Sequence, residues 1–593
     1  MAALRRGVNW DLENIFENEE ERIEAIDKFN KYIYEIKNFQ GSLNNLENVK
    51  KYYDTKVEAC KLHVKIYAYA MLRFHQNMGD NENSKLYKDA ISLGAKYAEN
   101  VSYAVPELIS NSKEILKSWA DAPEMKEYKR CLKKIIKDKE HVLSKETEEV
   151  LASYSEVFGA IENAYDIFTT TDFEFEDIKD RDGKEYKMSH GLYSKYLAGN
   201  DRILRKNAFE EMYRPYKQNI NTITELYLAR VKDVVTTARI RKYKNAIDMA
   251  SQNDDSKEEV YDTLVEAVNK NLKLNHEYLK LKSKLLTDEL DDKKMHMYDV
   301  YRNTFEEKEE NIDYEHAKYL VLNALSIMGK KYALKIEEAL NENWIDVYEK
   351  ENKRSGAYSM GVYGVHPYVL LNYVNSSRDI STIAHELGHA MHSYFADNTQ
   401  NILNSDYTIM VAEVASTVNE ILLANYQIRS TTDKVKQAFL INEQLDMIRA
   451  TLYRQTMFAE FEQIVHNKVE DFENLSSDDL NDIYYDLVKK YFGNTTVCDE
   501  DIKYEWARIP HFYTNFYVYK YATGITAAIV IAKNIMTGQV GFIEKYIEML
   551  SKGGSEDSLN LLKSVGVDLT KKETYDIAFN YFKENLDELK KLI

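Results

Sequence analysis

Three histidines and one glutamate lie close together in the stretch TIAHELGHAMHSYF, which runs from Thr382 to Phe395. On a helix, residues four apart lie one turn apart on the same face, so His385 and His389 would direct both imidazoles to one point. Glu386 would flank that point without having to bind there. This is the HExxH arrangement, in which two imidazoles bind zinc and the glutamate serves as general base for the attacking water.

A catalytic zinc needs a third protein ligand and an open fourth position. His392 suits this role poorly, because it lies about one turn beyond His389 and roughly two turns beyond His385. We interpret it as a histidine of the helix surface or one that lies behind the ligands. A following helix, in YTIMVAEVASTVNEILLANY, carries Glu413 in an apolar stretch where a carboxylate is costly to bury without a metal or partner. Glu420 competes for the role, two turns further along.

The segments around the motif indicate how it is held. SSRDIST, just before the motif, offers several N-cap residues for the helix. Upstream of it, RSGAYSMGVYGVHPYVLLNYV predicts a glycine-containing loop and then a strand from Pro367 to Val374. Gly388 lies inside the predicted helix at a cost of about 1 kcal/mol relative to alanine, so we expect close packing beside the site.

The remainder of the 593 residues predicts a mostly α protein. Only 5 prolines and 20 glycines interrupt the chain, which favours long helices. Helical periodicity extends from about Glu19 to Thr170, and DFEFEDIKDRDGKEYKMSHG then predicts a β-hairpin around Asp-Gly. We place a domain boundary there, between an N-terminal helical domain (1–195) and a catalytic domain (196–593).

Composition excludes several classes of protein. A net charge of −19 argues against a nucleic-acid binder, which needs a basic surface. Three cysteines, far apart and in no CxxC pair, fit a reducing cytoplasm. The N-terminus has no apolar core of a signal peptide, and the longest apolar run, ITAAIVIA, is too short to span a bilayer. The prediction is a cytoplasmic protein without a membrane or nucleic-acid partner; the oligomeric state stays open.

Several stretches together resemble one family. HELGHAMHSY followed by VAEVASTVNE is similar to the oligoendopeptidase F group of the thimet-oligopeptidase-like zinc metallopeptidases. The same holds for SGAYSMGVYGVHPYVLLNY upstream, RIPHFYTNFYVYKYATG near the C-terminus and WDLENIF near the start. The resemblance therefore covers nearly the whole chain.

The resemblance implies a closed helical ellipsoid with a deep substrate channel, a zincin core and a small β-sheet beside the active-site helix. It implies one Zn²⁺ per chain, bound by His385, His389 and Glu413, with Glu386 as general base. The expected activity is hydrolysis of internal bonds in short, unstructured oligopeptides. The strand at 367–373 would pair with the substrate backbone, which agrees with the strand predicted from the residues themselves. Addition of a peptide to a strand edge uses its main chain and therefore tolerates many peptide sequences.

The C-terminal block adds candidate hydrogen-bond donors for the oxyanion that forms on the scissile carbonyl. By the resemblance, His511 contacts the substrate carbonyl together with tyrosines. No single tyrosine corresponds, because the spacing from the histidine differs from that in the thimet branch. Tyr517 and Tyr521, four residues apart on a predicted helix face, are our candidates among four phenols; the alternative for each is a core aromatic.

Two rival functions remain open. A carboxypeptidase or dipeptidyl carboxypeptidase on the same fold would need a cationic group for the substrate's C-terminus, and Arg354 and Arg508 are candidates. The other rival is a non-catalytic, peptide-binding helical protein with a structural metal. Glu386 and the open three-ligand set argue against it.

Overall fold

The computed structural model describes residues 8–305 and 311–593. Most of these residues are helical, which confirms the mostly α prediction. The α-helices, in chain order, are α1 (Glu19–Lys37), α2 (Leu46–Gln76), α3 (Asn81–Val101), α4 (Ala104–Ser110), α5 (Lys113–Asp121), α6 (Lys129–Asp138), α7 (Lys145–Ile167), α8 (His190–Ala198), α9 (Arg202–Gln218), α10 (Ile220–Ile240), α11 (Ala246–Asn253), α12 (Glu258–Lys270), α13 (Leu272–Leu285), α14 (Tyr314–Leu325), α15 (Gly329–Asn341), α16 (Ser377–Asp397), α17 (Ile402–Ser405), α18 (Ile409–Ser430), α19 (Lys434–Ile448), α20 (Gln455–Glu470), α21 (Ser477–Phe492), α22 (Tyr519–Met536), α23 (Phe542–Ser551), α24 (Ser558–Ser564) and α25 (Lys572–Leu592).

The chain forms two compact units, and each is assembled from three stretches of sequence. The first unit comprises Met1–His141, Glu309–Gln427 and Ile531–Val567. The second comprises Val142–Lys308, Ile428–Val530 and Asp568–Ile593. Neither unit is continuous in sequence, and the domain boundary placed near residue 195 stays a prediction.

The strands are short. They are β1 (Ile178–Lys179), β2 (Glu185–Tyr186), β3 (Met295–His296), β4 (Ile345–Tyr348), β5 (Tyr358–Met360), β6 (Tyr368–Tyr373) and β7 (Thr496–Val497). β1 and β2 form the hairpin that the sequence predicts, with Gly183 at a positive φ of 81° in its turn. Its arms pair over two residues each, because charged side chains dominate the segment and leave little to bury.

The sheet of the first unit lies next to the motif helix. Its strand order is β4-β6-β5, with β6 parallel to β4 and antiparallel to β5. Five of the six residues of β6 are buried, as its apolar sequence YVLLNY requires of a central strand. β5 and β6 both pack against α16. The small sheet beside the active-site helix is thus confirmed.

The motif helix α16 begins at a capping box. The hydroxyl of Ser376 accepts a hydrogen bond from the backbone N–H of Asp379, and the carboxylate of Asp379 accepts one in return from the N–H of Ser376. This fixes where the helix starts and therefore which face carries the histidines.

Within the described residues, no helix is long and apolar enough to cross a bilayer.

Candidate metal centre

The two motif histidines and Glu413 converge on one point in the first unit. The Nε2 atoms of His385 and His389 are 3.2 Å apart, and Oε2 of Glu413 lies 3.6 Å from the first and 3.8 Å from the second. Ligand atoms about 2.0–2.2 Å from a tetrahedral zinc lie about 3.3–3.6 Å from one another, so this donor set fits zinc. Two imidazoles and one carboxylate leave a fourth position for a reactant, as catalytic zinc sites do.

A glycine lets the two ligand-bearing helices approach. A Cβ atom on Gly388 of α16 would lie 2.5 Å from the Cα of Ser416 and 2.6 Å from the carbonyl oxygen of Ala415, both on α18. Nearby, the amide of Asn419 donates a 3.1 Å hydrogen bond to the carbonyl of Ala384. The close packing expected beside the site is confirmed, and its partner is the backbone that carries Glu413.

Gly388→Ala should therefore push the helices apart. We expect the free energy of unfolding to fall by about 1–3 kcal/mol, the range typical of overpacked cores, because the clash is with backbone atoms that cannot rotate away. Zinc affinity should fall as well, since Glu413 moves with α18. Chemical denaturation and a zinc titration measure the two effects.

The control for this substitution is Gly159→Ala, within α7. Nothing lies within 4 Å of a Cβ at that position. Alanine should there be neutral or stabilise the helix by up to about 1 kcal/mol. Equal stability of the Gly388→Ala protein and the wild type would contradict the packing argument.

A carboxylate behind the ligands holds one imidazole in orientation. Nδ1 of His385 donates to Oε1 of Glu420 at 2.9 Å. A proton held at Nδ1 leaves Nε2 free to bind a metal. From the sequence, Glu420 is a candidate only as a ligand, and its hydrogen bond to His385 is not predicted. Its seven-residue spacing from Glu413, two turns on one helix face, is the signal that could have indicated it.

The pKa values of the site reflect burial and charge. Burial lowers the pKa of His385, but the hydrogen bond to Glu420 and the charges of Glu386 and Glu413 outweigh it and raise the pKa to about 9. Burial raises the pKa of Glu386 to about 7. Burial and the charge of His385 lower the pKa of His389 to about 4. Glu386 is 6 % exposed, so its carboxylate occupies a largely desolvated position beside the ligands.

His392 is not part of the ligand group. Its ring is buried and stacks on Tyr407 with centroids 3.5 Å apart. Neither ring nitrogen has a hydrogen-bond partner in the part of the chain that is described, and burial lowers its pKa to about 3. It lies behind the ligands as a neutral aromatic side chain. The interpretation of His392 as a residue of the helix surface is therefore wrong. Its distance from the ligand group agrees with its exclusion as a ligand.

The residues predicted from the C-terminal block lie in the second unit and contact one another. His511 belongs to a 3₁₀ helix, Pro510–Tyr513, and its ring centroid lies 6.0 Å from those of Tyr517 and Tyr521. By contrast, Tyr513 and Tyr519 are buried in the core. The prediction that Tyr517 and Tyr521 share a helix face is wrong, because α22 begins at Tyr519 and Tyr517 precedes it. The turn at Phe516, with a positive φ of 53°, instead brings the ring centroid of Tyr517 to 5.4 Å from that of Tyr521.

The sheet corrects one further prediction. The prediction that the strand at 367–373 pairs with a peptide backbone is wrong for 368–370, because β5 pairs with these residues on one side and β4 lies along the other side of β6. For the remaining residues it stays a prediction. β5 is the edge strand on the side of the glycine-containing loop. A cavity of about 210 Å³ lies between the residues that precede β5 and the end of β6, lined by Gly356, Ala357, Leu371, Asn372, Tyr373, Asp379 and Thr382. Thr382 lies one helical turn before Glu386, so this cavity opens beside the motif.

Comparison with known proteins assigns the chain to a class of mostly helical peptidases. The model described as Peptidase family M3 matches residues 196–581, and the one described as Oligopeptidase F matches residues 107–175. The oligopeptidase PepF of Bacillus subtilis is 38 % identical over 98 % of this chain and 87 % of its own. An oligoendopeptidase F homolog of Borreliella burgdorferi is 35 % identical over 98 % of each chain.

Solved structures show the same fold. Oligoendopeptidase-F from Enterococcus faecium is 31 % identical, with a TM-score of 0.72 over 97 % of this chain and 99 % of its own. A protein from Chlamydophila abortus, also 31 % identical, superimposes with a TM-score of 0.95 over 100 % of this chain and 99 % of its own. The chain belongs to peptidase family M3, in its oligoendopeptidase F group, and the resemblance noted from its motifs is confirmed.

Proposed function

We propose that this protein is a zinc metalloendopeptidase that hydrolyses internal peptide bonds of short, unstructured oligopeptides. The observation that carries the proposal is the convergence of His385, His389 and Glu413 beside the carboxylate of Glu386. Family membership supports peptide hydrolysis, and the names of the relatives support oligopeptides as substrates. Three cysteines, none in a disulfide, fit the cytoplasm as its compartment.

The proposal gives the metal ligands and the base distinct roles. His385, His389 and Glu413 hold one Zn²⁺, and Glu420 orients His385. When bound, zinc supplies Lewis acidity to the scissile carbonyl and lowers the pKa of water. Glu386 accepts the proton from the attacking water and passes it to the leaving amine.

The other predicted residues would act on the substrate. His511, with Tyr517 and Tyr521, is assigned to donate hydrogen bonds to the carbonyl oxygen as negative charge develops. The exposed edge of β5 replaces β6 as the strand that pairs with the peptide backbone, because backbone pairing needs a strand edge without a partner.

Product analysis by mass spectrometry tests the function. The purified protein is incubated with unstructured peptides of graded length, half of them blocked at both ends, beside a chelated sample. Internal cuts in short blocked peptides, abolished by the chelator, would support the proposal. Trimming of unblocked peptides from one end would instead indicate the exopeptidase, and bound zinc without any cleavage would indicate the non-catalytic protein.

Removal of the carboxylate behind His385 should weaken zinc binding. We expect Glu420→Ala to lower zinc affinity about 10- to 100-fold, because the imidazole loses the acceptor that fixes its tautomer and orientation. Glu420→Gln keeps an acceptor and should lose less. Competition with a chromophoric chelator measures the affinity.

Glu315→Ala is a matched control, since it removes a carboxylate of α14 in the same unit that is 77 % exposed. Its zinc affinity should equal that of the wild type. A Glu420→Ala protein that also binds zinc as tightly as the wild type would contradict the orienting role.

A further inference from the structure

The edge strand β5 is too short to hold its own position. It has three residues, and each of them pairs with a residue of β6 on one side only. Among the described residues, no strand pairs with its other edge. A peptide that adds to this edge is held by main-chain hydrogen bonds, which form only if the strand keeps a fixed position. The groups that fix β5 therefore bear on peptide binding.

The segment that leads into β5 turns twice and is supported by the end of α2. Asn352 and Gly356 have positive φ angles of 60° and 83°. This conformation is uncommon for asparagine, so surrounding contacts must stabilise it. The backbone N–H of Met78 donates to the carbonyl of Asn352 at 2.7 Å, and the N–H of Arg354 donates to the carbonyl of His75 at 2.9 Å.

The side chain of His75 joins α2 directly to β5. Its Nδ1 atom lies 2.8 Å from the hydroxyl oxygen of Tyr358, and its Nε2 atom lies 3.4 Å from Nη1 of Arg354. An arginine can only donate, so Nε2 accepts and Nδ1 carries the proton that it donates to Tyr358. Burial and the charge of Arg354 lower the pKa of His75 to about 4, so the ring is neutral near pH 7. Tyr358 is thereby held towards α2.

A buried ion pair is the second anchor of the same segment. The Nζ atom of Lys353 donates to Oδ1 of Asp346 at 2.7 Å, and to the carbonyl oxygens of Asp346 and Tyr348 at 3.1 and 2.7 Å. Both charged side chains are 0 % exposed. All three donors of the ammonium group are used, as a buried charge requires. The other oxygen of Asp346 accepts a 3.0 Å hydrogen bond from Gln76, so the pair ties the segment to both β4 and α2.

One amide ties the segment to β6 as well. The Nδ2 atom of Asn372 donates to the carbonyl oxygens of Arg354 and Gly356, at 2.9 and 2.7 Å. All of these anchors belong to the first unit, which also carries the candidate metal centre. Replacement of a buried ion pair by apolar residues of similar volume is often neutral or stabilising. Stability alone therefore does not account for the Lys353–Asp346 pair, whereas the position that it fixes does.

We propose that His75 and the Lys353–Asp346 pair are positioning residues for peptide binding, which act through the edge of β5. The inference rests on the proposed function, which assigns that edge to the peptide backbone. Ordering a loose strand during binding consumes part of the interaction free energy, so an edge that is already fixed binds a peptide more tightly. Loss of an anchor should weaken peptide binding and leave the metal ligands unaffected.

The first test removes a single hydroxyl group. Tyr358→Phe keeps the ring and deletes the oxygen that His75 contacts. We expect KM for a blocked, internally quenched peptide to rise about three- to tenfold, the effect of one buried hydrogen bond, with a smaller change in kcat. Affinity for the uncleaved peptide, measured in the Glu386→Gln background, should fall by the same factor. Zinc content should stay at one per chain, and hydrogen–deuterium exchange in segment 352–361 should become faster.

Further variants tie the effect to the two anchors. His75→Leu removes the same hydrogen bond from the other side, and the double variant with Tyr358→Phe should bind peptide no more weakly than His75→Leu alone. His75→Asn keeps an amide donor near the position of Nδ1 and should recover part of the affinity. Lys353→Met keeps the length of the side chain without its charge and should raise KM through the second anchor.

Tyr128→Phe is the matched control. The hydroxyl of Tyr128 donates to Oδ1 of Asp54 at 2.7 Å, in the same unit and also on α2. Asp54 lies about six turns before His75 along that helix. This variant loses a comparable hydrogen bond, but its KM and its exchange in segment 352–361 should equal those of the wild type.

Three results would overturn the inference, and they are distinguishable. Faster exchange in Tyr358→Phe, His75→Leu and Lys353→Met with an unchanged KM would mean that β5 does not hold the peptide, while zinc-dependent cleavage would still stand. Unchanged exchange and unchanged KM would mean that these contacts do not fix the strand. If the wild type cleaved no peptide, the proposed function would fail and this inference with it.

Discussion

Glu386→Gln should keep one zinc per chain and lose turnover by about 10³- to 10⁴-fold. Glutamine has nearly the shape of glutamate and fills the same buried position, where only 6 % of the residue is exposed, so the fold and the ligands should be unaffected. It cannot accept a proton from the attacking water. The loss should fall on kcat, which steady-state kinetics on a blocked, internally quenched peptide would measure beside zinc analysis.

Two further measurements make this result interpretable. Glu386→Asp keeps a carboxylate that is one methylene shorter, so part of the activity should return. The midpoint of thermal unfolding should be the same for Glu386→Gln and the wild type within a few degrees. A Glu386→Gln protein with more than about a tenth of the wild-type turnover would exclude Glu386 as the general base.

Removal of the third ligand should have a comparably large effect. Glu413→Ala leaves two imidazoles to hold the metal, and we expect zinc affinity to fall more than about 100-fold and turnover to reach the background rate. Zinc content after dialysis and activity at increasing free zinc would measure both. Partial recovery of activity at high zinc is expected if the two histidines still bind weakly.

His392→Phe is the informative control for the ligand set. Phenylalanine keeps the aromatic stack on Tyr407 and removes two buried nitrogens that lack partners among the described residues. Zinc should still bind one to one.

If Glu413→Ala retained zinc and Glu420→Ala lost it, the two glutamates would have exchanged roles, and the assignment of Glu413 as ligand would be wrong.

The sequence by itself determined the features that depend on near neighbours along the chain. The spacing of His385 and His389 fixes their common face as soon as the segment is helical. The stretch SSRDIST predicts that the helix starts there, and the structure selects Ser376 among its N-cap candidates. The β-rich run from Pro367 to Val374 predicts a strand, and Asp-Gly between charged arms predicts a hairpin; both form. Each of these follows from local periodicity or capping.

The tertiary structure decided which distant residues meet those elements. Glu413 and Glu420 lie on one face of α18, and the sequence favours Glu413 as a ligand without indicating a role for Glu420. The close approach of α16 and α18 at Gly388 brings His385 between the two glutamates, with its Nε2 atom towards Glu413 and its Nδ1 atom towards Glu420. Strand order likewise decided that β5 rather than β6 offers an edge. These arrangements depend on packing between segments that are distant along the chain, and no local pattern of residues encodes such packing.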